Sequence, residues 1–268
     1  MHAGYTYGNW SGASSGESDW AVVKLDADGT EAWRYQAGTD GQDQTKGIAM
    51  AEDGSVVVVG ATRGDWNGAN GSFDFAAFRL DADGTEVWRY QEGTEKEDYL
   101  SAATMVDGDG SVVMGGYTTG GFSELSLGDN DFVAIKLNSS DSTEIWRYQD
   151  GSSETDMVYA SAATEDEGVV LAGFTDGTWS GDNAGGSDFA AVKLDSDGVE
   201  VWRYQDGTSA HDTVREVAVQ ADGSIILAGT TDGDWSGLNA GDSNGDWALI
   251  SLSTDGEENW RWQVTRCV

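Results

Sequence analysis

Short runs of hydrophobic residues, separated by polar turns, follow one another along the whole chain. Residues 47–93 show the pattern, with the runs GIAMA (47–51), SVVVVGAT (55–62), DFAAFRLD (74–81) and EVWRYQ (86–91). The turns EDGS and ADGT and the long polar loop RGDWNGANGS separate these runs. Asp-Gly between two apolar, β-branched runs is a strong hairpin signal, and no segment shows helical periodicity. The pattern predicts a four-stranded antiparallel meander.

This pattern recurs with a fixed period. The tryptophan of the TEVWRYQ-like motif recurs at spacings of 55, 58, 56 and 58 residues, at Trp33, Trp88, Trp146, Trp202 and Trp260. A Gly-x-Thr element keeps the same spacing, at Gly4/Thr6, Gly60/Thr62, Gly116/Thr118, Gly173/Thr175 and Gly229/Thr231. Repeats of about this length indicate a solenoid, a propeller or another array. Four short strands per repeat are typical of a β-propeller blade.

We therefore expect an all-β fold, a β-propeller of about five four-stranded antiparallel blades in a single domain over residues 1–268. The repeats fall at approximately 1–38, 39–93, 94–151, 152–207 and 208–268. The N-terminal repeat begins with HAGYTYG, which matches a second strand. Either the first blade lacks its innermost strand, or the chain is part of a longer propeller.

Within one repeat, the run of a GIAMA-like strand, an Asp-Gly turn, a V-x-x-x-G-x-T strand, a long loop, D-[aromatic]-x-A-x-K-L-D and a final Trp resembles the SBBP-type β-propeller repeat. The resemblance covers essentially the whole chain. It implies the propeller architecture and an extracellular or cell-surface location. It implies no general catalytic motif. Members often carry an aromatic residue followed by Pro in the long loop, whereas this chain has the aromatic residue and no Pro.

Charge is the outstanding bulk property, with 48 acidic and 14 basic residues and a formal net charge of −34. Of the acids, 32 are Asp and 16 are Glu. A field this negative argues against nucleic acid and anionic lipid, and it favours cations, basic partners or a salty environment that screens repulsion. The simpler explanation is a solubilising surface. No apolar run approaches the ~20 residues of a membrane span.

Nine of the 14 basic residues lie at repeat-equivalent positions. Five are the arginines of the WRYQ-like motif, and four are third-strand residues, namely Lys24, Arg79, Lys136 and Lys193. We expect them to form cross-strand pairs with the motif glutamates or to pair with the turn aspartates. Since strand residues alternate in direction, the motif Trp and Tyr should share one face and the Arg and Gln the other. The aromatic residues would fill the wedge between blades, so WRYQ is interpreted as a structural element.

In a propeller, the loops between second and third strands lie at one edge, and here they are long. This edge is the expected functional surface. It carries one aromatic residue per repeat, and these are the candidate ligand-binding residues Trp10, Trp66, Phe122, Trp179 and Trp235. Such residues could stack on sugar rings in a multivalent, lectin-like protein. Alternatively, each loop aromatic residue packs between blades.

Aspartates recur at the same edge. Candidate metal ligands are the residues that begin the third strands, Asp19, Asp74, Asp131, Asp188 and Asp246, and those of the linkers, Asp43, Asp98, Asp156 and Asp212. The loops add Asp65, Asp176, Asp182, Asp232, Asp234 and Asp242. Oxygen-rich loops suit Ca²⁺, so calcium is the one cofactor to expect. No segment has EF-hand spacing, and an Asp at a strand start can simply cap the backbone.

Catalysis has little support in the sequence. His2 and His211 do not repeat, Cys267 is a single cysteine near the C-terminus, and no zinc, nucleophile-elbow or phosphate-loop motif is present. The expected function is that of a non-catalytic, extracellular or cell-surface interaction or structural module that acts through its acidic long-loop edge on a protein or glycan partner. A multivalent carbohydrate-binding protein is the alternative, and a glycoside-acting enzyme is third. The alternative location is the cytoplasm of a halophile.

Overall fold

A computed structural model describes residues 1–12, 14–66, 72–122, 127–235 and 245–264. In this part of the chain the regular structure consists of β-strands, and no helix is long and apolar enough to cross a membrane. Asp242 and Cys267 lie outside the described residues.

The strands form five blades. Blade one contains β1 (His2–Thr6), β2 (Asp19–Leu25) and β3 (Glu31–Ala37). Blade two contains β4 (Asp43–Met50), β5 (Val56–Thr62), β6 (Asp74–Leu80) and β7 (Glu86–Glu92). Blade three contains β8 (Asp98–Val106), β9 (Ser111–Thr118), β10 (Asp131–Asn138) and β11 (Glu144–Asp150). Blade four contains β12 (Asp156–Ala163), β13 (Val169–Thr175), β14 (Asp188–Leu194) and β15 (Glu200–Asp206), and blade five contains β16 (Asp212–Val219), β17 (Ile225–Thr231), β18 (Asp246–Leu252) and β19 (Glu258–Val264).

Each blade is an antiparallel meander in which consecutive strands are neighbours. Blade one has three strands and the other sheets have four. This confirms the predicted all-β propeller with five blades and an incomplete first blade. The chain forms two compact units, one of residues 1–125 and 135–145 and one of residues 126–134 and 146–268, so blade three contributes strands to both.

The first strand of each complete blade begins earlier than the apolar pattern predicts. The sequence assigned GIAMA (47–51) to a strand and Asp43 to a linker, whereas β4 spans Asp43–Met50. The register shifts between Thr45 and Gly47, where a β-bulge interrupts the strand. A bulge breaks the two-residue alternation of side chains, so a periodicity argument detects only the part beyond it. The linker aspartates are therefore the first residues of β4, β8, β12 and β16.

Blades are buried against their neighbours within each unit. One core cluster joins Trp20 and Val22 of β2 to Val56, Val58 and Phe78 of blade two. A second joins β14 of blade four to Leu227, Ile250 and Leu252 of blade five. Large apolar side chains of this kind contribute ~1.5–3 kcal/mol each when fully buried. The strands β5, β6, β10 and β14 are almost entirely buried, because both of their faces are covered.

The glycine of the Gly-x-Thr element is required by the neighbouring first strand. A Cβ atom on Gly60 of β5 would overlap the carbonyl oxygen of Gln44 in β4. The equivalent atoms on Gly116, Gly173 and Gly229 would overlap first-strand carbonyl oxygens in the same way. Gly4 occupies the same position in blade one, which has no such strand, and its Cβ would meet nothing within 4 Å.

We expect Gly60→Ala to lower the free energy of unfolding by about 1–3 kcal/mol, because the added methyl group has to displace a paired backbone strand. Gly4→Ala is the matched control and should change stability by less than ~0.5 kcal/mol. Urea denaturation of both variants measures the difference. Equal effects of the two substitutions would contradict the close approach of β4 and β5.

Candidate functional site

The motif TEVWRYQ directs its aromatic side chains toward the following blade. The indole N–H of Trp88 donates to the carbonyl oxygen of Ser139, 2.7 Å away in blade three, and the Tyr90 hydroxyl donates to Glu144 of that blade. Arg89 and Gln91 contact residues of their own blade. The predicted segregation of Trp and Tyr from Arg and Gln is confirmed. The motif is therefore part of the packing between blades.

Four of the motif arginines pair with the motif glutamate of their own strand, so the predicted cross-strand pairing with these glutamates is wrong for them. Arg203 and Arg261 also contact Asp150 and Asp206 of the preceding blade. Arg89 Nε donates to Glu86 of the same strand over 2.5 Å. Corresponding pairs are Arg34–Glu31, Arg203–Glu200 and Arg261–Glu258. In β7 the register steps from Arg79↔Trp88 to Leu80↔Glu86, so that Val87 is an extra residue. This bulge turns Glu86 to the face that carries Arg89.

Three of the four third-strand cations reach the turn between the first and second strands of their own blade, whereas Lys24 Nζ donates to the Ala82 carbonyl oxygen of blade two at 2.9 Å. Lys136 Nζ lies 2.6 Å from Asp109 and Lys193 Nζ lies 2.7 Å from Asp166. Arg79 contacts Asp53 at 3.2 Å. These ammonium and guanidinium groups are largely buried, whereas the paired carboxylates are more exposed. The expected pairing with turn aspartates is confirmed for these three.

Each loop aromatic residue from blade two onward packs against an aromatic residue of the preceding blade, and Trp66, Trp179 and Trp235 are also covered by an arginine of their own blade. Trp179 is 8% exposed, its ring centroid lies 4.9 Å from that of Phe132, and the Arg203 guanidinium lies 5.0 Å from it. The equivalent ring pairs are Trp20–Trp66, Phe75–Phe122 and Phe189–Trp235, and the equivalent arginines are Arg89 over Trp66 and Arg261 over Trp235. A sugar could stack on these rings only after displacing such neighbours.

Trp10 differs from the other four in its exposure. Arg34 covers one of its faces at 4.9 Å, and the residue is 37% exposed. It lines an open groove of about 380 Å³ together with Ala21, Val23 and residues of β1. Among the five candidate loop aromatic residues, Trp10 is thus the most accessible.

The motif glutamine links the long loop to the third strand. Gln91 Oε1 accepts the backbone N–H of Trp66 at 2.7 Å, and its Nε2 donates to Asp74 at 2.8 Å and to the Gly64 carbonyl at 2.9 Å. Gln36, Gln205 and Gln263 make the same three kinds of contact. Hydrogen bonds to a charged group contribute ~1.5–3 kcal/mol each. The third-strand aspartates are therefore used to hold the loop.

The linker aspartates cap the turn that precedes them. Asp98 accepts the Thr94 backbone N–H at 2.6 Å and the hydroxyls of Thr94 and Thr118. Asp43, Asp156 and Asp212 accept the same kind of backbone N–H from Thr39, Ser152 and Thr208. The sequence does contain this signal, as the repeated spacing G-[TS]-x-x-x-D, which periodicity arguments alone overlooked.

Third-strand and linker aspartates form buried pairs around a glycine. A Cβ atom on Gly151 would lie 2.8 Å from Asp131 Oδ1 and 2.6 Å from Asp156 Oδ2, so these two oxygens are within about 5 Å of each other. The other pairs are Asp19/Asp43, Asp74/Asp98 and Asp188/Asp212, and all eight residues are 0% exposed. Burial raises the pKa of Asp98 and of Asp156 to about 6, with a smaller upward contribution from the partner carboxylate. Burial also raises the pKa of Asp43 and Asp212.

The structure thus brings eight of the nine candidate metal ligands together in twos, and the ninth, Asp246, accepts from Gln263. Among the described residues no group of three or more His, Cys, Asp or Glu side chains is arranged to hold a metal ion. A calcium ion takes six to eight oxygen ligands. A pair of aspartates would supply only part of these ligands, and backbone carbonyl oxygens and water would have to supply the others. Calcium binding stays a prediction. The loop residues Asp65, Asp176, Asp182, Asp232 and Asp234 are exposed.

Comparison with known proteins supports the propeller class. The family described as "Domain of unknown function (DUF5122) beta-propeller" matches residues 51–85, which indicates a β-propeller repeat family. No curated protein matches the chain. Among solved structures, the quinohemoprotein alcohol dehydrogenase of Comamonas testosteroni is 14% identical with a TM-score of 0.50, over 82% of this chain and 35% of that one. The quinohemoprotein alcohol dehydrogenase ADHIIG of Pseudomonas putida HK5 is 10% identical with a TM-score of 0.48, over 94% and 53%.

Sqt1 of Chaetomium thermophilum, bound to the N-terminus of ribosomal protein L10, is 12% identical with a TM-score of 0.48, over 92% of this chain and 69% of that one. The chain spans about a third and about half of the lengths of the two dehydrogenases. At 14% identity, the likeness to the Comamonas testosteroni enzyme shows a shared fold alone.

The raised pKa values predict how stability depends on pH. Asp98 and Asp156 bind protons in the folded state up to about pH 6 but, when unfolded, only up to about pH 4. The folded state is therefore favoured at acidic pH, and this contribution is lost as pH rises through 6. We expect the free energy of unfolding to fall by roughly 1–3 kcal/mol per site between pH 4 and pH 7.

Asp98→Asn removes one titrating group and should reduce the slope of this pH dependence, measured by denaturant unfolding at each pH. Asp197→Asn, at an exposed turn position, removes the same charge and is the matched control. Its slope shows how much of the change in Asp98→Asn comes from the loss of one charge alone. A slope in Asp98→Asn equal to that of the unsubstituted protein would contradict a raised pKa at this site.

Proposed function

We propose that the protein is a non-catalytic interaction module whose acidic blade edges bind a basic polypeptide. The observation that carries the proposal is the distribution of exposed charge on the hairpin turns. The exposed carboxylates there are Asp26, Asp28, Glu52, Asp53, Asp83, Asp107, Asp109, Asp141, Glu165, Asp166, Glu167, Asp197, Asp222, Asp255 and Glu257.

The cations near these turns do not neutralise the surface that a partner would meet. Lys136 is 1% exposed and Lys193 is 8% exposed, and each forms an ion pair with one turn carboxylate from below. The remaining turn carboxylates project from short hairpins held by backbone hydrogen bonds. Rigid, regularly spaced carboxylates attract Lys and Arg side chains and accelerate encounter with a basic partner.

The long-loop edge, where the sequence places the function, is the second candidate surface. Its exposed carboxylates in the described residues are Glu17, Asp40, Asp65, Glu95, Glu97, Asp129, Glu154, Asp176, Asp182, Asp232 and Asp234. The recurring aspartates of that edge, however, are buried, and its loop aromatic residues other than Trp10 pack against the preceding blade. This difference favours the turn edge.

Two features support a non-catalytic role. The recurring buried carboxylates hold loops and linkers through Gln, Thr and backbone donors. Of the two histidines, His2 is exposed, and the exposed His211 contacts Ser187 through Nδ1. Neither histidine has a counterpart in the other repeats.

We also propose that the repeats are of the SBBP type and that the protein acts outside the cell or at its surface. The support is the match of strand order, Asp-Gly turns, loop aromatic residue and final Trp along the five repeats. Immunolabelling of intact against permeabilised cells tests the location, and labelling only after permeabilisation would contradict it.

Binding of a synthetic oligolysine peptide, followed by isothermal titration calorimetry, tests the proposed function, with an oligoglutamate peptide as the charge control. A turn variant with Asp26→Asn, Asp28→Asn, Asp83→Asn, Asp255→Asn and Glu257→Gln removes five exposed charges. We expect its affinity to fall at least ~10-fold, about 1.4 kcal/mol, and wild-type binding to weaken with salt.

A loop variant is the matched control, because Glu17→Gln, Asp40→Asn, Glu95→Gln, Glu154→Gln and Asp182→Asn also remove five exposed charges. It should bind nearly as well as the wild type. A larger loss of affinity in the loop variant would assign the binding site to the long-loop edge. Equal losses of affinity in both variants would show that binding depends only on the net charge.

A further inference from the structure

The junctions between consecutive blades follow one template. The third-strand aromatic residue of a blade packs against the loop aromatic residue of the next, as Phe132 packs against Trp179 at 4.9 Å and Phe189 against Trp235 at 5.0 Å. All four third-strand residues that take part are fully buried, namely Trp20, Phe75, Phe132 and Phe189. A loop aromatic residue of one blade therefore recognises the third strand of its neighbour.

Two members of this series have no counterpart within the described residues. Trp247 occupies the third-strand position in blade five and is 63% exposed, although the four equivalent residues are 0% exposed. Trp10 occupies the loop position in blade one and is 37% exposed. Trp247 thus matches the third-strand aromatic residue of a junction, and Trp10 matches the loop aromatic residue that packs against it.

The hydrogen bonds between consecutive blades show the same difference at blade one and blade five. The motif indoles of Trp33, Trp88, Trp146 and Trp202 donate to carbonyl oxygens in the next blade, at Ala82, Ser139, Ser196 and Thr254. In blade five the equivalent Trp260 is 46% exposed. In blade one the residue at the acceptor position is Ala27, which lies in an exposed turn. The donor face and the acceptor face are both present in the chain.

Each of the two residues lines a groove with large apolar side chains. The groove at Trp247 has a volume of about 430 Å³, and it is lined by Ala228, Gly229 and Thr230 and by the charged residues Arg215 and Glu216. The same face carries Trp262, 47% exposed, and Val264, 40% exposed. The groove of about 380 Å³ on blade one includes Trp10, Ala21 and Val23. Contiguous exposed apolar surface of this kind marks an interaction site.

We propose that the blade-five face around Trp247 binds the blade-one face around Trp10 of a second copy of this chain. The contact is head-to-tail: Trp10 packs on Trp247 as Trp235 packs on Phe189, and the Trp260 indole approaches the turn at Ala27. Because the two faces are different, the interface is heterologous, and each added copy leaves one face of each kind for the next. The net charge of −34 opposes association, so the contact strengthens when salt screens it.

Sedimentation equilibrium over a range of protein concentrations tests the proposal, in about 1 M salt where the screening length is about 3 Å. The wild-type weight-average mass should rise well above the 28.4 kDa of one chain. Trp10→Ser and Trp247→Ser should each stay monomeric. An equimolar mixture of the two variants should reach about twice the monomer mass and no more, because each contributes one intact face.

Val199→Ser is the matched control, since Val199 is an equally exposed apolar residue, 60%, away from both faces. It should assemble like the wild type. The gain of mass in the mixture also shows that both tryptophan variants are folded. A wild type that stays at 28.4 kDa at every concentration would overturn the proposal and would leave the Trp247 face to another segment of the polypeptide or another protein. Assembly of Trp247→Ser alone, or loss of assembly in Val199→Ser, would equally contradict it.

Discussion

The packing of one blade against the next is the interaction on which the rest of the structure depends. A four-stranded sheet of short strands cannot bury both of its apolar faces alone. Here a loop aromatic residue of each following blade covers the third-strand aromatic residue before it, as Phe122 covers Phe75. Gln91 and the equivalent glutamines Gln36, Gln205 and Gln263 hold the long loops against the third strands. The conformation of the long loops, the burial of the third strands and the packing of consecutive blades are therefore stabilised by the same contacts.

The large number of aspartates divides into two populations with different physical roles. Those at strand starts are fully buried, accept hydrogen bonds from Gln, Thr and backbone N–H groups, and in several cases have a raised pKa. Those in the hairpin turns and in the long loops are exposed and give the surface its charge. Composition treats both alike, but burial removes the first population from any encounter with a partner. Only the second contributes to long-range attraction.

Much of the fold could be predicted from the sequence, and the errors have one cause. The five blades, the missing strand of blade one and the facing of Trp and Tyr follow from strict alternation and a fixed repeat. The start of β4 at Asp43 and the Arg89–Glu86 pair were mispredicted, because a bulge at Thr45 and another at Val87 change which residues share a face. Periodicity carries no information about the extra residue of a bulge until the partner strand is known.

The sequence by itself determined the repeat, the all-β class, the blade count and the acidic character, because local alternation, turn residues and charge are properties of residues near one another in the chain. The tertiary structure decided what the recurring residues do. Phe132 and Arg203 decide whether Trp179 is open to a ligand, and Asp156 decides what Asp131 faces. These partners lie 24 to 47 positions away in the chain. Side-chain burial and hydrogen bonding across such distances are fixed only when the blades pack.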